Sequence, residues 1–496
     1  MSMINIVDQT FRDGQQSLWG MRIRTGMLER VAPLVNRAGF SAVDITGSSM
    51  FECTMRYARE DPWEGFDLWR AWMPDVQLRC GVGSNRIGTF GMTPNVLLDL
   101  WVQTLIKHGM GSFWVYDCLY NMDQMKRLCQ TIHDAGGQAY GAIFYGISPV
   151  HTDEWFAARV REMVSWDCVT GIYVEDAPGI LTPERARTLV PALLSAAGDA
   201  PVEFHFHNTT GCGALNYVIA LEAGATTLHT CSRPLANGPS LPSTEQTLEN
   251  IRWLGLRHRI DESALPDIAA HCERIAAQEG WDVGVPNEYS AFAYRHHLPG
   301  GMTGTLKKQL AQYDMEEKLG EVLEETVRVR DEMGHPISAT PFSQLIGIQS
   351  VLNVVTGERW GTVPEEVVLY LYGHYGQPPA PISESVKDKV FASEQGRRLA
   401  SWERPQPSLD EVRRQYGGPR ISDEELLLRY LVPEADLKAV REAGPLKRRY
   451  DFLDETGMNG VLDHLLTLKR PRQLVVSGAA GDFVLKRGDE AASSRG

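Results

Sequence analysis

Eight short β-rich runs recur through the first half of the chain, and their regular spacing constrains the fold more than any other feature. They lie roughly 25–40 residues apart, with helical patterns between them. One such pattern places Leu98, Trp101 and Leu105 on a single helix face. Eight strands that alternate with helices over about 250–300 residues predict a (β/α)₈, or TIM, barrel. In chain order, the runs are Met3–Asp8, Ala42–Thr46, Gln77–Val82, Ser112–Asp117, Gln138–Tyr145, Gly171–Asp176, Val202–His207 and Thr226–Cys231.

An open, doubly wound sheet is the alternative fold for the same alternation of strands and helices. Such a sheet typically carries a glycine-rich, phosphate-binding turn after its first strand. Residues 9–14 follow the first strand here and read Gln-Thr-Phe-Arg-Asp-Gly, which lacks that pattern. The barrel is therefore the favoured prediction.

The chain is longer than one barrel, and its pattern changes near residue 300. Its 496 residues and 43% hydrophobic content allow a second packed unit. We expect a barrel domain over 1–300, a mostly helical domain over 301–475 packed on the barrel, and a disordered tail over 476–496. The predicted helical runs are Lys307–Asp331, Ser343–Thr356, Pro364–Tyr372, Ser422–Leu431 and Asn459–Leu468.

Charge and cysteine content exclude several classes of function. The net charge of −14 argues against nucleic acid or an anionic membrane as the main partner, since both require basic patches. No apolar run reaches the ~18 residues of a membrane span, and the N-terminus enters a strand without a signal segment. The eight cysteines include no Cys-x-x-Cys pair. We therefore expect a reduced, cytoplasmic protein without structural disulfides.

Polar side chains cluster where several of the predicted strands end. The carboxyl ends of barrel strands form one face, and in such barrels that face carries the chemistry. We therefore expect these side chains to lie near one another. They are Asp8, Arg12, Asp13 and Gln16 after the first strand, Asp117 after the fourth, Glu175 and Asp176 at the end of the sixth, and His205 and His207 at the end of the seventh.

The pair His205 and His207 is a candidate metal site. Side chains alternate faces along a strand, so the two imidazoles point the same way. A His-x-His pair by itself is also typical of ordinary core or exposed histidines. Asp13 would add one oxygen ligand to the two nitrogens, a set that suits zinc, manganese, cobalt or iron(II). An open coordination position could hold a 2-oxo acid or an enolate oxygen, with the metal acting as a Lewis acid.

Three further residues have candidate roles, each with a plain structural alternative. Glu175 could be a fourth metal ligand or a general base, or only a carboxylate at a strand–loop junction. Arg12 could pair with a substrate carboxylate or oxyanion, or form a structural ion pair with Asp13. Gln16 could donate a hydrogen bond to an enolate oxygen, or cap the start of a helix.

Several motifs along the chain match one protein family in register. They are DQTFRDGQQSL at 8–18, VYDCL at 115–119, EDAPGILTP at 175–183, HFHNTTG at 205–211 and LPGGM at 298–302. Through these motifs the chain resembles the biotin-dependent carboxyltransferases. That family comprises the carboxyltransferase domain of pyruvate carboxylase, the oxaloacetate decarboxylase alpha subunit and the transcarboxylase catalytic subunit.

The resemblance implies a reaction as well as a site. It implies that carboxyl is gained or lost at the carbon next to the ketone of a 2-oxo acid, through a metal-assisted enolate. It also implies a homodimer formed through the barrels. The implied ligands of a divalent zinc, manganese or cobalt ion are Asp13, His205 and His207, with Glu175 as a further candidate. The residues expected to bind substrate are Arg12, Gln16, Asp117 and Arg86.

The chain departs from the family's pattern at two chemically important positions. Glu175 stands where the family has a lysine that becomes carbamylated and ligates the metal. A carboxylate is thus kept without carbon dioxide, but on a shorter side chain. Gly304 stands where the family has a threonine or serine that moves a proton to and from biotin. Thr303 and Thr305 flank Gly304 and are the candidate substitutes.

Further departures concern substrate and cofactor. The family's substrate-binding arginine aligns with about Val82, and Arg79 and Arg86 are near that position but out of register with it. Asn208 and Gln15 replace the family's aspartate and histidine in their respective motifs. The chain contains no Ala-Met-Lys-Met biotinylation site. Any biotin must therefore come from a separate carrier protein.

These features predict a metal-dependent carboxyltransferase or decarboxylase. Its substrate would be a 2-oxo acid resembling pyruvate or oxaloacetate, or a malonyl-type acyl thioester. One alternative is a carbon–carbon lyase or Claisen-type enzyme like hydroxymethylglutaryl-CoA lyase, for which Asn237 could be an extra metal ligand. The gap-free match of His229–Glu245 to the carboxyltransferase segment argues against it. Another alternative is a non-catalytic scaffold that binds a biotinyl carrier protein.

Overall fold

The structure is a computed structural model that divides into two compact units, Met1–Arg449 and Tyr450–Gly496. The first unit contains the predicted barrel, 1–300, and residues 301–449 of the predicted helical domain, whereas residues 450–475 of that domain belong to the second unit. Among the residues that the structure describes, no helix is long and apolar enough to cross a membrane. The described residues are 3–88, 91–289, 291, 294, 297–298, 306–307, 310–311, 313–453, 473–478 and 481–486.

Eight parallel strands form a closed barrel, which confirms the predicted fold. The ring closes because β1 pairs with β2 on one side and β8 on the other. The strands are β1 Met3–Asp8, β2 Ala42–Gly47, β3 Leu78–Gly83, β4 Met110–Tyr116, β5 Gln138–Phe144, β6 Val169–Asp176, β7 Val202–Phe206 and β8 Thr227–Thr230. A short ninth strand, Arg257–His258, pairs with β1. Helices cover the sheet from outside, and its strands are therefore buried almost throughout.

Helices follow the strands as the alternation predicts, and local sequence defines where several of them begin. The side chains of Thr152, Thr182 and Ser243 each accept a hydrogen bond from a backbone N–H in the first turn of the following helix. The helices of the barrel region are α1 Gln15–Trp19, α2 Ala32–Arg37, α3 Ser48–Cys53, α4 Pro62–Trp72, α5 Asn95–Lys107, α6 Met122–Asp134, α7 Asp153–Val164, α8 Pro183–Ala197, α9 Gly213–Glu222, α10 Thr244–Trp253 and α11 Leu265–Glu279.

The region after residue 300 is helical, as predicted, with one boundary that is wrong. The run Lys307–Asp331 is not one helix, because Asp314 takes a left-handed backbone conformation with φ of 54° and regular α-helix begins only at Leu319. The run Asn459–Leu468 lies outside the described residues. The helices are α12 Leu319–Glu332, α13 Phe342–Thr356, α14 Glu365–Leu371, α15 Glu384–Phe391, α16 Glu394–Leu399, α17 Leu409–Tyr416, α18 Asp423–Leu431 and α19 Glu434–Ala443.

Hydrogen bonds between side chains and backbone tie this helical region to the barrel. Arg330, on α12, donates from Nη1 to the carbonyl of Ile147, which follows β5, at 2.9 Å. Arg86, which follows β3, donates from Nη2 to the carbonyl of Thr340 at 2.6 Å. Both links lie on the side of the barrel where the strands end.

The expectation of a disordered tail over 476–496 is wrong for the part of that range that the structure describes. Strand β10, Gln473–Gly478, pairs antiparallel with β11, Gly481–Lys486, in continuous register. Charged and small residues dominate the composition of the chain end, but valine, leucine and phenylalanine fill the middle of both strands. Such residues favour paired strands, and composition averaged over the tail hides this local pattern.

Asp8, at the end of β1, is a buried carboxylate whose ionisation opposes folding. Its Oδ1 accepts a hydrogen bond from the Thr10 hydroxyl at 2.6 Å, whereas its Oδ2 has no hydrogen-bond partner within the described part of the chain. Burial raises the pKa of Asp8 to about 7. Between the unfolded pKa of ~3.9 and pH 7 the folded state binds the extra proton, so stability falls as pH rises through that window.

We expect the wild-type protein to lose about 2 kcal/mol of unfolding free energy relative to Asp8→Asn between pH 5.5 and pH 8. The asparagine cannot ionise, so position 8 contributes no pH dependence in the variant. Urea unfolding of both proteins at the two pH values measures the difference. Parallel pH profiles would contradict the assigned ionisation of Asp8.

Candidate metal centre

Asp13, His205 and His207 bring three ligand atoms together at the carboxyl end of the barrel. Nε2 of His205 lies 3.2 Å from Nε2 of His207, and the Asp13 Oδ1 lies 3.5 Å from the latter and 3.9 Å from the former. All three residues are buried, at 2%, 0% and 7% exposure respectively. Among the described residues, this is the group of His, Cys, Asp and Glu side chains close enough to share one metal ion.

Local structure explains how the three side chains converge. Strand β7 ends at Phe206, and alternation along it directs the rings of His205 and His207 to the same side. Asp13 lies in a single helical turn, Thr10–Gly14, that follows β1 directly. Asp13 is distant in sequence from the histidines, and closure of the barrel brings β1 round to β8, next to β7.

The ring of His207 is oriented as a metal ligand requires. Its Nδ1 lies 2.7 Å from the carbonyl oxygen of Pro239. A carbonyl can only accept, so Nδ1 carries the proton and Nε2 presents a lone pair toward Asp13. One carboxylate oxygen and two such nitrogens fit zinc, manganese or cobalt.

Arg12 lies buried beside this group and makes hydrogen bonds in three directions. Its Nε donates to Oε1 of Gln9 at 3.1 Å, Nη1 donates to Oδ1 of Asp13 at 3.2 Å, and Nη2 donates to the Tyr173 hydroxyl at 3.2 Å. The guanidinium also lies over the ring of Trp114, 5.0 Å from its centroid. Arginine has five N–H donors, so these three bonds leave donor capacity for a substrate oxygen.

Glu175 is adjacent to the three-residue group but is not part of it. It is the penultimate residue of β6, in register with His205 on β7, and its Oε2 accepts a hydrogen bond from the Tyr173 hydroxyl at 2.7 Å. Burial raises the pKa of Glu175, although the positive charge of Arg12 opposes this. The structure thus places the Glu175 carboxylate beside the candidate ligands, where Tyr173 holds it by a hydrogen bond.

The sequence alone did not identify Tyr173 or the aromatic packing that holds it. The ring of Tyr173 stacks on Trp114 with centroids 4.8 Å apart and an interplanar angle of 6°. The indole Nε1 of Trp114 donates to Oδ2 of Asp44 at 2.7 Å. Gly81 leaves room for the indole, because a Cβ there would lie 2.1 Å from Trp114 Cζ2.

A set of charged side chains inside the barrel was also not predicted from the sequence. These residues lie within otherwise apolar strands, where burial of a charge requires a partner. That conflict between residue type and position was the available signal. The ion pair of Arg79 with Glu203, together with the hydrogen bond from His229, lowers the pKa of Glu203 to about 2, although burial alone would raise it. The set comprises Asp44, Arg79, Glu203 and His229.

The remaining predicted site residues are placed less favourably for a direct role. Gln16 is exposed on α1, whereas its neighbour Gln15 is buried and donates to the carbonyl of Phe11 at 2.9 Å. Asp117 accepts from the Ser84 hydroxyl at 2.6 Å and is buried. Burial raises its pKa.

Arg86 was predicted to bind substrate, and Thr303 and Thr305 were predicted to move a proton. Arg86 follows β3 and is buried, and its Nη2 donates to the Tyr116 hydroxyl at 3.1 Å as well as to the Thr340 carbonyl. It therefore lies on the catalytic face but is engaged by other protein groups. Thr303 and Thr305 lie outside the described residues.

Comparison with known proteins gives matches along the whole of this architecture. A protein-family model described as "Conserved carboxylase domain" matches residues 293–456, and one described as "HMGL-like" matches 114–271. The chain is 31% identical over 464 residues to a subunit of pyruvate carboxylase from Methanothermobacter thermautotrophicus, covering 92% of this chain and 81% of that protein. It is 32% identical over 464 residues to the 2-oxoglutarate carboxylase large subunit of Hydrogenobacter thermophilus, covering 89% of this chain and 69% of that protein.

A solved structure shares the fold. It is the carboxyl transferase domain from Rhizobium etli pyruvate carboxylase with pyruvate. The TM-score is 0.82 at 24% identity, with 98% of this chain and 83% of the other covered. At this level of identity, the match establishes the common architecture of barrel and helical region.

Proposed function

The chain belongs to the carboxyltransferase family that includes the matching pyruvate carboxylase subunit and the 2-oxoglutarate carboxylase large subunit, and from that premise we propose that it moves a carboxyl group to or from the carbon next to the ketone of a 2-oxo acid. The observation that carries this proposal is the buried group of Asp13, His205 and His207, with Arg12 beside it. All 2-oxo acids share a ketone bonded directly to a carboxylate. This pair of groups is the part of the substrate that the site would recognise.

Asp13, His205 and His207 would hold a divalent metal. When bound, such a metal would supply a Lewis acid for the ketone oxygen. Arg12 would neutralise the negative charge that develops on that oxygen, because its guanidinium is buried and fixed by Gln9, Asp13 and Tyr173. These four groups are in place before substrate arrives, so little reorganisation is needed during the reaction.

Tyr173 would hold its proton on Oη, between Glu175 and Arg12. Burial raises the pKa of this hydroxyl well above its ordinary value, so it is a neutral donor to Oε2 of Glu175. Its position also keeps the Glu175 carboxylate within reach of the ligand group. A second role for Glu175, as a metal ligand or a general base, would require this hydrogen bond to lengthen.

We expect Glu175→Gln to weaken metal binding by roughly 10- to 100-fold, the range typical of groups that hold or tune a ligand. The amide keeps the shape of the side chain but not its charge. Metal competition with a chelator measures the effect, and Glu184→Gln, an exposed glutamate on α8, is the matched control. Unchanged metal content and turnover in Glu175→Gln would show that this residue neither ligates nor tunes the metal.

Biotin would reach the site on a separate carrier protein. The chain lacks an Ala-Met-Lys-Met site of its own, and the carboxyl end of the barrel offers the face on which a carrier could present biotin. Thr303 and Thr305 are the candidate residues for moving a proton to and from biotin. A homodimer formed through the barrels is part of the same proposal.

A screen of 2-oxo acids and acyl thioesters with the metal-loaded protein tests the function. We expect carbon dioxide release from a carboxylated 2-oxo acid such as oxaloacetate, and faster release when biotin or a biotinylated carrier is present. Cleavage of an acyl thioester without carbon dioxide release would favour the lyase alternative, with which the HMGL-like match over 114–271 is compatible. Absence of both activities, together with absence of bound metal, would contradict the proposal.

A further inference from the structure

A chain of four buried side chains runs through the barrel interior and ends at a candidate metal ligand. Arg79 on β3 pairs with both carboxylate oxygens of Glu203 on β7. Oε2 of Glu203 lies 3.0 Å from Nε2 of His229 on β8, and Nδ1 of His229 lies 3.3 Å from Nδ1 of His205. Three of the four residues are at most 1% exposed and Glu203 is 5% exposed, so water does not compete for these contacts.

The direction of each hydrogen bond in this chain follows from what each group can donate. A carboxylate engaged by arginine is an acceptor, so Nε2 of His229 must donate to Glu203. That assignment leaves a lone pair on Nδ1 of His229. A neutral imidazole of this form can only accept at Nδ1.

Gln9 independently supports the same assignment. Its Oε1 accepts from Nε of Arg12, which fixes the amide so that Nε2 is the donor. That Nε2 lies 3.0 Å from Nδ1 of His229 and donates to Asp44 at 3.2 Å. Nδ1 of His229 is therefore the acceptor in both of its contacts.

The tautomer of His229 in turn affects the tautomer of His205. Its Nδ1 faces the acceptor nitrogen of His229 and lies 3.0 Å from the Tyr173 hydroxyl oxygen, whose own proton is directed to Glu175. Nδ1 of His205 therefore carries the proton, and Nε2 presents a lone pair toward Asp13 and His207. The backbone carbonyl of Pro239 imposes the equivalent form on His207.

We propose that Glu203 and His229 are positioning residues that set the tautomer of His205, so that its Nε2 is always available to a divalent metal. Arg79 supports them by holding Glu203 as an acceptor. The proposal rests on the proposed metal-dependent function. It adds a set of residues, remote from substrate, on which metal affinity depends.

The competing interpretation is that Arg79 and Glu203 form a stabilising ion pair with no influence on the metal. The double variant Arg79→Met/Glu203→Met separates the two, because it removes the pair without leaving a buried charge. His229 then has no acceptor at Nε2, and only the Gln9 amide still favours a lone pair at Nδ1, so the form protonated at Nδ1 becomes accessible. In that form it would donate to His205 and shift the His205 proton to Nε2, where it blocks the metal.

We expect the double variant to bind zinc or cobalt(II) roughly 10- to 100-fold more weakly than wild type, while unfolding cooperatively. His229→Phe removes the same acceptor from His205 while leaving Arg79 and Glu203 paired, and it should weaken binding similarly. Arg359→Met/Glu325→Met, which removes another ion pair of a buried glutamate, is the matched control and should bind metal as wild type does.

Two measurements distinguish a positioning role of Glu203 and His229 from a purely structural role. Metal affinity is measured by chelator competition, and the tautomer by nitrogen-15 spectra of histidine-labelled metal-free protein. The spectrum of wild type should show His205 protonated at Nδ1, and that of the double variant should not. Wild-type affinity and an unchanged His205 signal in either folded variant would overturn the inference.

The failure of this inference is distinguishable from failure of the proposed function. His207→Ala removes a candidate ligand that contacts His205, and it leaves Arg79, Glu203 and His229 in place. If that variant loses metal while the double variant keeps wild-type affinity, the metal centre stands and the positioning role is wrong. If His207→Ala binds metal as wild type does, the metal centre itself is wrong, and the inference falls with it.

Discussion

Replacing His207 by alanine is expected to abolish tight binding of a divalent metal and to lower the rate of carboxyl transfer by about 10³-fold. The variant leaves Asp13 and His205 as the remaining members of the group. Lewis-acid stabilisation of a developing oxyanion supplies several kcal/mol, and about 4 kcal/mol corresponds to that loss of rate. Metal analysis of the purified protein and carbon dioxide release from oxaloacetate measure the two effects.

The matched control for this variant is His133→Ala, which removes an exposed histidine at the end of α6. It should leave both metal content and turnover unchanged. Because His207 makes a side-chain hydrogen bond to Pro239, the unfolding of both variants should be compared as well. A folded His207→Ala protein with wild-type turnover would exclude a catalytic metal at this position.

Replacing Arg79 alone by methionine is expected to destabilise the protein by about 3–5 kcal/mol. The substitution leaves Glu203 buried with its principal counter-charge removed, and breaking one side of a buried ion pair typically costs that much. Adding Glu203→Met should recover most of the loss, because the pair is then replaced by apolar side chains of similar size. Urea unfolding of the wild type, the single variant and the double variant measures both changes.

A different result for the two variants would contradict the expected contribution of the Arg79–Glu203 ion pair to stability. If Arg79→Met and the double variant were destabilised equally, Glu203 would not depend on Arg79 for compensation. The ion pair would then contribute little, and His229 alone would satisfy the carboxylate. Bound metal does not affect this comparison, because all three proteins are unfolded in their metal-free form.

The positions of the strands were predictable because they depend on local sequence. Every run of the barrel was identified to within a few residues, as the predicted Val202–His207 and the observed Val202–Phe206 illustrate. Alternation along that strand also placed His205 and His207 on one side. The general location of Asp13 followed, because all strands of a parallel barrel end on the same face.

Other parts of the site could not be predicted, because they depend on packing between strands that are distant in sequence. The rotation of the short helix α1 determines which of two adjacent glutamines is buried. In the structure, Gln15 is buried and Gln16 is exposed. The hydrogen bond from Tyr173 to Glu175 follows from the stacking of Tyr173 on Trp114 of another strand.

The amino-acid sequence by itself determined the order of strands, the face on which polar side chains gather and the identity of three candidate ligands. The strand order and the polar face follow from local periodicity and from the topology it dictates, whereas the resemblance to the carboxyltransferases implied Asp13 as the third ligand. Only the tertiary structure decided which hydrogen-bond partners surround the two histidines. Closure of the barrel places His229 within hydrogen-bonding distance of both Glu203 and His205, away from water, and these contacts are the basis of the proposed tautomer of His205.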